Sequence, residues 1–147
     1  MVSKKIKVLY LISLSIFFTY ILLLLYQYSN IPEMVASHIN ISGKVDGYSN
    51  KNSLWIASGI NVLILVIVAL LIKSPKYANY PVEITDKNRD SAYKKMQFFL
   101  AVTAIITTSV FSYMVFKAIG FEKNFIYLII YLIAAPVFTM LYFKREK

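Results

Sequence analysis

No cysteine occurs among the 147 residues, and histidine occurs once, at position 38. The first absence excludes a disulfide scaffold, a Cys-ligated zinc or iron–sulfur site and a thiol nucleophile. The second excludes the paired histidines of a helical zinc-protease motif. Acidic residues are scarce, 7 against 16 Lys+Arg, and none lies within the four long apolar runs of the chain. Proton-coupled transport and intramembrane aspartyl proteolysis both need a carboxylate inside the bilayer, so acid–base chemistry there is excluded. Charged residues make up only 16% of the chain and hydrophobic ones 59%, which excludes disorder. These absences predict a non-enzymatic protein with no catalytic residue, no metal site and no cofactor.

What is present is apolar length. A helix crosses roughly 30 Å of hydrocarbon in about 20 residues. Uncharged runs of that length cover residues 8–27, 54–72, 97–117 and 125–143, apart from Lys117 at one edge. The first is too long for the apolar part of a secretory signal, and Gln27, Tyr28, Ser29 and Asn30 offer no small-residue cleavage site after it. The expected fold is therefore an all-α integral membrane protein of four transmembrane helices in a single domain. Twelve of the 16 basic residues fall in the N-terminal tail, the 73–96 connection and the C-terminal tail. Lys44, Lys51, Lys117 and Lys123 are the four on the alternate side. Positive charge favours the cytoplasm, so both termini and loop 73–96 are expected inside and loop 28–53 outside. The basic excess then speaks for contact with anionic lipid, not with nucleic acid.

Within the runs, Asn61 is the one amide near a bilayer midplane, and it is expected to hydrogen-bond across the bundle or to touch a ligand. Ala104, Thr108 and Ser112 recur every four residues, forming a stripe of small and hydroxyl side chains that suits helix packing or a polar path. Ser53 and Asn124 are placed to cap the second and fourth helices, and Gly120 to end the third. Thr85 is expected to cap a polar extension of the third helix, with Asp86 in its first turn.

Loop 28–53 is 26 residues long, more than a connection needs. Pro32 suits the first turn of a short helix through His38, while Gly43 and Asp46-Gly47 signal turns around an extended piece. Met34, Val35, Ile39, Ile41 and Val45 are apolar and predict that the loop folds back onto the bundle. His38, Asp46, Lys51 and Glu33 are a poor metal set, and His38 with Asp46 reads better as a hydrogen-bonded pair fixing the loop.

The spacing of Pro32, His38, Asn40, Gly43, Asp46, Gly47 and Lys51 resembles the N-terminal domain of the SdpI-type bacterial immunity family and its short four-span relatives. A second match lies at Asn79, Tyr80, Pro81 and Thr85, followed by Asn88 and Tyr93. The resemblance implies recognition or blocking of an extracellular peptide or toxin through the outer loop. The residues themselves leave two other readings open. One is a small channel or transporter component, based on Asn61, Thr108 and Ser112. The other is an accessory subunit that docks a membrane or cytoplasmic partner through loop 73–96.

Overall fold

The structure, a computed structural model, describes residues 2–42 and 44–118. The fourth apolar run, Gly43, Gly120 and Asn124 lie outside the described residues. The order of elements is α1 (Lys4–Gln27), β1 (Met34–Ile39), β2 (Val45–Asn50), α2 (Ser53–Lys73) and α3 (Arg89–Ala118). Short 3-10 turns, Tyr28–Asn30 and Pro75–Tyr77, follow α1 and α2. The described chain is thus mostly helical, with one two-stranded antiparallel sheet in place of the all-α expectation.

The three helices are each long and apolar enough to cross a membrane. At 1.5 Å per residue, the shortest, of 21 residues, is ~31 Å long, close to the ~30 Å of a hydrocarbon core. Their packing is unlike that of a water-soluble bundle. Leu11, Phe18, Leu22, Ile56, Leu63 and Leu70 face outward, whereas Ser13, Ser58, Asn61, Thr108, Ser109 and Ser112 are buried. Large apolar side chains on the outer surface and polar ones buried between helices suit a hydrocarbon solvent, where small polar residues let helices approach and bond. This is the surface of a membrane protein.

Helix α3 packs along both α1 and α2. Two apolar clusters fill the interior. One gathers Ile6, Leu65, Val68, Ile72, Leu100, Ala101 and Ala104 at the lysine-rich end. The other gathers Tyr20, Leu24, Leu54 and Val115 at the hairpin end, where Ile31 and Val35 join it. Ala101 and Ala104 are fully buried. Their small side chains allow the backbone approach that a van der Waals-driven membrane interface requires.

Helix boundaries correct three expectations. Asn52, not Ser53, precedes α2. Its side chain does not cap the helix, and Ser53 is the first helical residue, its hydroxyl 2.7 Å from that of Ser49. Regular helix in α3 begins at Arg89, so Asp90, and not Asp86, occupies its first turn. Thr85 still opens the turn, since its carbonyl accepts from the amides of Asn88 and Arg89. Residues 34–39 form a strand instead of the short helix that Pro32 suggested. Pairing with strand β2 supplies ladder hydrogen bonds on both sides of the irregularity at His38, outweighing the local preference Pro32 gives to a helical turn.

Candidate functional site

The hairpin is built around two pairs of residues and one turn. Pairing runs from Met34 opposite Asn50 to Ile39 opposite Val45. The register shifts on either side of His38, leaving Ser37 on β1 and Asp46 on β2 without a directly opposite residue. Such bulges redirect side chains. Here they let His38 Nδ1 meet Asp46 Oδ1 on the exposed face, the two side chains being 71% and 44% accessible. Gly47 pairs with His38, and a Cβ added there would come within 3.0 Å of the His38 Cβ. Glycine at 47 is thus what lets the backbone crossing sit close under His38.

Asn40 organises the turn. Its Oδ1 accepts from the amides of Ser42 and Lys44, both at 3.0 Å, and its own amide donates to the Lys44 carbonyl at 2.8 Å. A short amide side chain satisfying neighbouring donors is what a turn of this kind favours.

Lys51 closes the opposite end of the hairpin. Its Nζ lies 2.8 Å from Glu33 Oε1, 3.5 Å from the Ile31 carbonyl and 5.1 Å from the centroid of the Tyr28 ring. The Lys51 amide donates to the Glu33 carbonyl at 2.8 Å. Tyr28 in turn donates to Asn52 Oδ1 at 2.5 Å and packs on Trp55, ring centroids 5.4 Å apart. Beneath this network Ile31 and Val35, each 4% exposed, plug the end of the bundle between Leu24, Leu54 and Val115. The apolar docking is narrower than the sequence suggested, because Met34 and Ile41 are exposed and Ile41 stands fully in the open at the turn. The four residues His38, Asp46, Lys51 and Glu33 therefore form two separate pairs, one at each end of the hairpin. Among the described residues no three His, Cys, Asp or Glu side chains gather as a ligand set.

Below the hairpin, Asn61 is fully buried between all three helices. Tyr20 of α1 donates to its Oδ1 at 2.9 Å, and its Nδ2 donates to Thr108 Oγ1 of α3 at 3.2 Å. Tyr10 extends the bridge from α1 by donating to the Leu65 carbonyl at 2.9 Å. Ser58 and Ser109 return their hydroxyls to the carbonyls one turn earlier, and Ser112 is buried a turn beyond Thr108. The tyrosines were not evident as site residues. Their signal was position, since a tyrosine away from the interfacial belt needs a partner for its hydroxyl.

In the α2–α3 connection the residues of the second motif mostly bind one another. Tyr80 donates to the Pro75 carbonyl at 2.8 Å and lies beside Tyr93, ring centroids 5.9 Å apart. Desolvation, reinforced by Tyr93, holds the Tyr80 phenol above the ordinary tyrosine pKa. Asn88 donates to the Glu83 carbonyl and accepts from the Thr85 amide, each at 2.9 Å. Asn79 and Pro81 are exposed and stand outside this network.

Residues 15–62 match the family model of DUF1648, a domain of unknown function. The DUF1648 match begins in α1, takes in the whole hairpin and ends one residue after Asn61. It thus contains Tyr20, both hairpin pairs and the Asn40 turn, whereas Thr108 lies beyond it. No curated protein and no solved structure matches the chain.

Proposed function

We propose that this chain is a non-enzymatic, multi-pass protein of a bacterial cell membrane whose hairpin faces outward and recognises an extracellular peptide or toxin. The observation that carries the reading is the mounting of the hairpin. Ile31 and Val35 anchor it from below and Lys51 ties its base, while His38, Asp46, Tyr48 and Ile41 stand exposed above. A rigidly seated element with an exposed mixed aromatic, apolar and ionisable face loses little entropy on binding, which favours recognition. The resemblance to SdpI-type immunity proteins supplies the class of partner, and the DUF1648 match covers this same segment. The distribution of lysine supports N-in and C-in topology, with residues 125–143 as a fourth span.

A conduction role has less support. Asn61 bonds Tyr20 and Thr108, and Ser58 and Ser109 bond their own helices, so these groups join helices and do not line a water path.

The test is protection. A sensitive bacterial host expressing the protein is challenged with a panel of membrane-active antibacterial peptides and proteins. The reading expects survival against at least one class, lost in His38→Ala and Asp46→Ala variants that still reach the membrane in normal amounts. Equal survival with and without the protein across the panel, or full protection by both variants, defeats it.

A further inference from the structure

At the end of the bundle remote from the hairpin, an open cavity of about 400 Å³ lies between the C-terminus of α2 and the first turns of α3. Lys73, Lys76 and Lys94 line it, with Ser74, Asp90 and Tyr93. Three ammonium groups against one carboxylate leave a net positive charge in a partly enclosed space. Among the described residues neither Lys73 nor Lys94 forms an ion pair, Asp90 included. Lys76 rests over the Tyr77 ring, 4.8 Å from its centroid.

The depth of the cavity is fixed by the helices. Lys73 is the last residue of α2, directly after the apolar run that ends at Ile72. On α3, the charged residues Lys94 and Lys95 give way to the apolar run at Gln97, whose Nε2 donates to the Ile72 carbonyl at 2.8 Å. That bond sets the two transitions side by side, so the cavity opens where hydrocarbon ends. On this side the hydroxyls of Ser74 and Tyr93 add donors among the lysines.

We infer that this cavity binds a phosphate group, most naturally the phosphodiester of an anionic phospholipid seated against Lys73 and Lys94. Basic pockets between membrane helices hold lipid head groups in this way, and each lysine near an anionic surface strengthens binding about fivefold. The inference rests on the membrane reading above but not on the hairpin's role.

The purified full chain is placed in nanodiscs of phosphatidylglycerol mixed with phosphatidylcholine, and co-purifying lipid is quantified by native mass spectrometry. The expected result is retention of phosphatidylglycerol, weakened about 25-fold in Lys73→Gln/Lys94→Gln. It is kept in Lys73→Arg/Lys94→Arg, and kept within twofold in Lys87→Gln/Lys95→Gln, which removes equal charge from the same connection outside the cavity. Release of the lipid by millimolar inorganic phosphate supports the site and makes free phosphate an equal source of its ligand. Resistance to phosphate supports the site and assigns it to lipid. Equal losses in the two glutamine pairs, or no preference for phosphatidylglycerol, overturn the inference. Resistance of the protein to alkaline extraction from membranes, measured in parallel, separates failure of the site from failure of the membrane reading.

Discussion

Asn61 is the residue on which the described bundle turns. It is the only amide in the middle of an apolar run, and a buried amide in hydrocarbon must find partners. That much was legible from sequence alone. Tyr20 was not, because nothing in a run of Phe, Thr, Tyr and Ile says which ring faces inward until the helices are packed. Asn61→Ala removes both bonds and takes away the acceptor of the buried Tyr20 hydroxyl. We expect a loss of about 1–2 kcal/mol in denaturant-titrated detergent micelles, with Tyr20→Phe costing less and Thr108→Val least. A double-mutant cycle between Tyr20→Phe and Asn61→Ala should return a coupling of about 0.6–1.7 kcal/mol. Additive single effects would show that the three helices are not joined through this bond. Lys51→Met is expected to cost under ~1 kcal/mol, because Glu33 is 75% exposed and solvent screens the pair. Hydrogen exchange should nonetheless quicken at the Lys51 amide, where the hairpin base is tied.

Among elements, the helices are plainer in the sequence than the hairpin. Uncharged runs of about twenty residues announce spans by length alone, and α1, α2 and α3 cover the first three of them. The β1 strand was hidden, because residues 31–39 carry a helix-opening proline and no strict alternation. Its conformation comes from pairing with β2 and from Val35 entering the bundle, both long-range effects. The pairing of His38 with Asp46 is legible in the residue types of the loop, whereas the choice of Glu33 as the partner of Lys51 is not. Two variants probe the element. Asn40→Ala deprives two turn amides of their acceptor and should lower the stability of the hairpin against local opening by about 1 kcal/mol. The readout is faster amide exchange at Ser42 and Lys44 with the exchange of α2 unchanged. Val35→Asp places a carboxylate among Leu24, Leu54 and Val115 and should detach the hairpin, at about 3 kcal/mol or more. Proteolysis within residues 31–52 should then precede loss of the helices.

For the molecule as a whole, the two ends of the helices carry different chemistry. One end bears a seated hairpin with an open face, the other a lysine-lined cavity, and the interior between them is tied by tyrosine and asparagine. These ends are expected to face opposite sides of a membrane, with the hairpin outside. The absence of cysteine makes that directly measurable, since any thiol introduced is the only one present. Ser42→Cys and Ser91→Cys, both at exposed positions, are treated in intact cells with a membrane-impermeant maleimide. The account predicts labelling of Ser42→Cys on intact cells and of Ser91→Cys only after permeabilisation. Labelling of Ser91→Cys on intact cells with Ser42→Cys protected, or of both alike, would contradict it.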